Sequence, residues 1–286
     1  MSTTTSPHTP LQLARLETPE TIADVLSNLD QVVNWSINTE SHIGYFAALY
    51  KRITLAIRQA ISDGVFDNGR LIEELDVVFA CRYFNALNAY FSRDESEGLT
   101  LPWGVTFVGD QDDHAIIVQH MLAGLNAHIT FDLGLGLLAV AGNSLDTLTG
   151  DYQRVNDLLC AQIPGIIKVV DQLSPDLRWA RVLIPNEVGV LKRELTRLRA
   201  GAWLFAIYMA MHRQKARDKA LHQEAWTAAL SSWYLRPSDR WSPFPRLIRV
   251  ISKHESDDYL LARIRVMLLR PRLQVTPYTL VHNTGC

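Results

Sequence analysis

Cysteine is scarce: Cys81, Cys160 and Cys286 are the only three in 286 residues. They lie far apart and form no Cys-x-x-Cys or Cys/His pattern, which argues against a disulfide framework and suggests a reducing compartment. Charge of one sign is also missing. The formal net charge is -2, without the basic excess that a nucleic-acid partner would demand. The densest basic run, KRELTRLR at 192–199, is balanced by acids elsewhere and reads as a solvated helix face. The opening MSTTTSPHTP has neither the basic start nor the apolar core of a signal peptide, so a cytoplasmic protein with a disordered first dozen residues is expected. No apolar run is long enough for a membrane span: the fully apolar part of the most hydrophobic stretch covers only 133–141. Phosphate-loop, zincin and serine-hydrolase signatures are absent as well.

What the chain does have is a globular composition, 48% hydrophobic and 20% charged, arranged almost throughout with helical periodicity. The expected fold is all-α, a single-domain multi-helix bundle over 18–270, with a disordered tail at 1–17 and an extension at 271–286. Thr18, Pro19 and Glu20 read as the start of a first helix reaching about Leu29. A second helix spans about 42–62, with the stripe Ile43, Phe46, Tyr50, Thr54, Ile57 and Ile61. A third covers about 71–91, with Ile72, Asp76, Phe79, Tyr83, Leu87 and Tyr90 on one face. Residues 92–113 are polar and glycine-rich, a loop anchored by Trp103 and Phe107. A fourth helix begins near His114, a fifth near Asp151 with Pro164 kinking or breaking it, and a long one spans 186–215. Its stripe of Val188, Leu191, Leu195, Leu198, Ala202, Phe205 and Met209 suits bundle packing or a homodimer seam. Shorter helices follow near 220–234 and 256–269, with the proline-rich RPSDRWSPFPR extended between them.

The fourth helix raises the functional question. In LAGLNAHITFDLGLGLLAV, residues 122–140, His128 and Asp132 sit four apart within an apolar stripe, so they share a face and can touch. A buried carboxylate needs a partner, and His128 is the nearest. Gly124, one turn earlier, leaves a gap over the imidazole. Asp76 interrupts the third helix's stripe in the same way, so the two helices, if they face each other, bring Asp76, His128 and Asp132 into one pocket near Tyr83. Such a set suits general acid/base work, and is also a legal ligand set for zinc or iron. A third reading is a satisfied core pair that fixes helix register. The glycines of GLGLLAVAG follow a helical pattern and suit close helix packing rather than dinucleotide binding. The acids of DQDD, 110–113, suit the first turn of the fourth helix.

Four segments, YFAALYKRIT (45–54), LDVVFACRYF (75–84), GLNAHITFDL (124–133) and DYQRVNDLL (151–159), together resemble the bacterial and fungal family catalogued as domain of unknown function 5995. The resemblance covers about residues 20–265. It implies an all-helical fold, and it matches Asp76, Tyr83, Asn126, His128, Asp132 and Asn156 to the family's recurring polar positions. The chain departs from that pattern at Gly134, where proline is common, and at Phe131, where a polar residue commonly precedes the acid. The His-x-x-x-Asp pair is also similar to the zinc pairs of phospholipase C and its nuclease relatives. The second pair those enzymes need fails here at Ala216 and Trp226.

The expectation is therefore a cofactor-free enzyme for an apolar small molecule, with His128, Asp132 and Asp76 as acid/base groups. Tyr83, Asn126, Asn156, Phe79 and Tyr50 would bind the substrate. A zinc-dependent hydrolase using His128, Asp132 and Asp76 as ligands, and a non-catalytic dimerising or binding protein, are the alternatives.

Overall fold

A computed structural model describes residues 12–92, 98–111, 114–142, 144–177, 186–238, 244–252 and 255. The described residues form helices and no strand: α1 Ile22–Thr39, α2 Ile43–Ser62, α3 Gly69–Phe91, α4 Leu101–Val108, α5 Ile117–Asn126, α6 Leu133–Ala141, α7 Thr149–Leu173, α8 Glu187–Met211, α9 Ala216–Leu235 and α10 Phe244–Ser252. The all-α multi-helix bundle read from periodicity is what the chain adopts.

Several boundaries differ from expectation for identifiable reasons. The first helix starts at Ile22 because Thr21 and Asp24 form a reciprocal capping box, which Thr18 has no acid to match. It runs on to Thr39 because Val32, Val33 and Ser36 continue the buried face. Leu13 and Leu16, assigned to the tail, are buried, and Asn88 exchanges two hydrogen bonds with the backbone of Leu16. The expected loop contains α4, which starts with Pro102 in its first turn and turns Trp103 and Phe107, four residues apart, onto the core. Pro164 does not break α7. The proline-rich segment is helical from Phe244 onward. The helix expected at 256–269, the extension at 271–286 and Cys286 lie outside the described residues.

Helix α5, a six-residue π-helical turn at Ala127–Asp132 and α6 form one continuous rod. Its length and hydropathy would suit a membrane span, but most of it is buried inside the bundle. α2, α4 and α9 pack against its first part, and α3 and α8 against its last. The π turn is the seam between two apolar cores: Ala127 belongs to one with Val33, Phe46, Phe84 and Trp103, and Ile129 and Leu133 to the other with Ile57, Ile72 and Tyr152.

Small residues set the approach of the neighbours. A Cβ on Gly134 would lie 2.5 Å from Phe205 Cδ1 and 2.9 Å from the Ala202 carbonyl oxygen, so α8 touches α6 nearly backbone to backbone. The buried stripe residues Ala202, Phe205 and Met209 are therefore core, and Leu191 alone of the large stripe residues is exposed. Gly134→Ala cannot be relieved by turning one side chain, because the second obstacle is backbone. Overpacking of this kind should cost about 1–3 kcal/mol, read as a fall of several degrees in the melting temperature; an unchanged value would show that α8 moves freely.

Candidate functional site

The π turn gives the site its shape. Its N–H···O bond from Leu133 to His128 spans five residues, and insertions of this kind recur where a helix must present side chains out of its regular phase. Gln223 from α9 donates to the Thr130 carbonyl within this turn. His128 and Asp132 still share a face, with Nδ1 3.8 Å from Oδ2. That distance supports attraction between charges but is too long for a hydrogen bond.

Asp132, fully buried, is held by two other groups. Arg82 Nε donates to Oδ1 at 2.8 Å and Trp103 Nε1 donates to Oδ2 at 2.7 Å. Sequence reasoning misses Arg82, which stands beside the α3 stripe and carries no periodic signal, and it gives Trp103 only an anchoring role.

His128 is enclosed by rings. Phe79 stacks on it with centroids 3.4 Å apart and planes 9° from parallel; Tyr50 is at 4.5 Å, Phe46 at 5.6 Å, Trp103 at 6.1 Å and Tyr83 at 6.4 Å. The gap over Gly124 is filled by Phe46, whose ring carbon Cγ would be 2.5 Å from a Cβ there. A cavity of about 10 Å³, room for one water, continues from Phe46, Tyr83 and Trp103 toward His42, Asp110 and His120. At that end Asp110 accepts from Ser41 Oγ and from the Ile43 N–H, so it serves the start of α2 rather than the fourth helix.

Among the expected site residues that line or neighbour these rings, five buried polar atoms have no hydrogen-bond partner among the described residues: both His128 ring nitrogens, the Tyr50 and Tyr83 hydroxyls and Asp76 Oδ2. Burial lowers the His128 pKa against the raising influence of Asp132, which keeps the imidazole neutral. Burial, with Glu73 nearby, pushes Asp76 up to about 7. Burial also raises the Tyr50 and Tyr83 hydroxyls, and Asp76 and Asp132 lie close enough to raise Tyr50 further.

The expected site residues thus divide. His128, Asp132, Tyr50, Phe79 and Tyr83 come together, and Asp76 joins them through its proximity to Tyr50, although among the described residues no hydrogen bond or ion pair links it to His128 or Asp132. Asn126 does not face the rings: its amide donates to the Thr227 carbonyl and Ser231 Oγ and its oxygen accepts from Thr130, tying the rod to α9. Asn156 bonds Thr196 Oγ1 in the α7–α8 seam. Among the described residues no group of three or more His, Cys, Asp or Glu side chains is arranged to hold a metal ion.

Fold and site together define an all-helical protein with a buried, aromatic-walled His/Asp centre. The sequence profile of a family of unknown function, DUF5995, matches residues 22–242, and the chain belongs to that family. Comparison with curated proteins and with solved structures gave no match.

The two buried acids make this geometry testable. An acid whose pKa rises on folding keeps protons that the unfolded chain has released, so stability is lost as pH rises from about 4 to about 7. The Asp76→Asn variant should therefore gain stability relative to wild type across that window, by on the order of 4 kcal/mol at about 1.4 kcal/mol per pKa unit; parallel stability curves would refute the assignment. Arg82→Met should cost about 3–5 kcal/mol in chemical denaturation, because Asp132 is left buried and charged without its cation. A loss under about 1 kcal/mol would mean that this pair behaves like a surface one.

Proposed function

We propose that the protein is a small-molecule enzyme that works by general acid/base chemistry at His128, on an apolar substrate that enters against the ring walls. The observation that carries this reading is the concentration of unpartnered polar atoms around His128 inside an aromatic shell. Each such atom costs about 1–3 kcal/mol when nothing pairs with it, so a core selected for stability alone would have replaced it.

In this reading neutral His128 takes a proton from the substrate, and Asp132, 3.8 Å away, stabilises the imidazolium that results. Asp132 need not move, because Arg82 and Trp103 hold both its oxygens. Asp76, with a pKa of about 7, gives up or receives a proton near neutrality, and the Tyr50 and Tyr83 hydroxyls orient the polar part of the substrate. A proton removed at one atom and returned at another accounts for cyclisation, isomerisation or elimination without a redox partner. Cytoplasmic location and the absence of a nucleic-acid or membrane partner belong to the same proposal.

The test works with an unidentified substrate. Wild-type protein and His128→Leu are incubated with an extract of small metabolites, and the mixtures are compared by mass spectrometry. The wild type should deplete at least one species that the variant leaves untouched, while the variant melts no lower than wild type because an unpartnered polar ring has become apolar. Failure of His128→Leu to fold would assign the residue to the scaffold, and no depletion by wild type would sink the enzymatic reading.

A further inference from the structure

The rings and acids around His128 have a common electrostatic preference. Phe46, Tyr50, Phe79, Tyr83 and Trp103 all lie within 6.4 Å of the imidazole, and aromatic faces carry partial negative charge. Two carboxyl groups accompany them. Asp132 is compensated by Arg82. Asp76 is 5% exposed and, among the described residues, has no ion pair and leaves Oδ2 without a hydrogen bond. The described neighbours that act on it offer no cation: Glu73 lies on its own helix, Tyr50 faces it from α2, and the Tyr50 hydroxyl in turn feels Asp132 from the π turn. Arg82 is already committed, and His128 is neutral. The enclosure therefore holds one more acid than base and is lined by five aromatic rings. With a neutral occupant Asp76 either keeps its proton or stays charged without a counter-ion.

We propose that the enclosure around His128 receives a small organic ammonium ion with an apolar body, its head held between Asp76 and the faces of Tyr50, Tyr83 and Trp103. This rests on the reading of the enclosure as a ligand site and names the ligand's chemistry. Aromatic cages recognise such cations through their ring faces, and a carboxylate among them supplies the counter-charge. The apolar body takes the place of Phe79, whose ring is half-buried at the edge of the enclosure and already shows that a flat apolar group fits against the imidazole at 3.4 Å. Binding the cation to ionised Asp76 releases the proton that the carboxyl otherwise holds, so affinity rises with pH.

The experiment compares choline with its neutral carbon isostere 3,3-dimethyl-1-butanol by isothermal titration, using wild type, Phe79→Ala and Asp76→Asn. Choline should bind wild type or Phe79→Ala about tenfold more tightly than the alcohol at pH 8, and that preference should shrink toward pH 5 as Asp76 is protonated. In Asp76→Asn the preference should disappear while the alcohol still binds. If that variant does not fold, the wild-type pH series alone separates the same outcomes. Equal affinity for both probes at all pH values overturns the ammonium proposal and leaves the ligand site standing. No binding of either probe, even with Phe79→Ala opening the enclosure, overturns both.

Discussion

A carboxylate in the middle of a helical bundle is tolerated only when its charge is met at close range. Asp132 meets that condition through Arg82 on α3 and Trp103 on α4, one donor for each oxygen. Three separate elements are thereby joined at one residue of the central rod. The consequence reaches further than stability. Because Asp132 is satisfied by others, His128 is not needed to neutralise it, and its two ring nitrogens stay unengaged among the described residues. The two side chains stand 3.8 Å apart, beyond hydrogen-bond distance.

The same division runs through the other polar residues of two sequence segments. In DYQRVNDLL, Asp151 accepts from the Asp67 and Asn68 N–H groups ahead of α3 and pairs with Arg154, while the Tyr152 hydroxyl donates to the Arg199 carbonyl. Those polar groups hold α7 against its neighbours. In GLNAHITFDL, Gly124 seats Phe46, Asn126 ties the rod to α9 and Asp132 is locked, which leaves His128 as the motif's one unengaged polar side chain facing the rings. The buried polar residues of these segments thus do two different jobs, and burial alone does not separate them. Hydrogen-bond satisfaction does.

The fold was legible because helical periodicity records burial directly: the α2 and α3 stripes are the buried faces, and Gly134 of GLGLLAVAG does allow close packing, whereas Gly142 ends the helix with nothing against it. The anomaly of His128 and Asp132 was legible for the same reason, as polar residues at apolar positions. What spacing could not supply was the partner across helices. Arg82 lies off the stripe of α3, and nothing within its own helix distinguishes it from a solvated cation. Asn126 shows the opposite failure. It falls beside His128 in the sequence, yet it faces α9, because side chains two apart on a helix point in different directions.

Closure of the site is the remaining constraint. The cavity beside the rings holds about one water, while Phe79 covers the imidazole and Arg82, 30% exposed, covers Asp132. Both lids stand on α3, three residues apart, and so on one face. Opening is unequal in cost. Arg82 cannot leave without stranding a buried charge, whereas turning Phe79 outward breaks one ring stack and exposes a side chain that is already half wet. Of the two covers, Phe79 is therefore the one that moves at lower cost; a Cβ on Gly136 of α6 would lie 3.8 Å from the Phe79 Cα and Cβ, an ordinary contact.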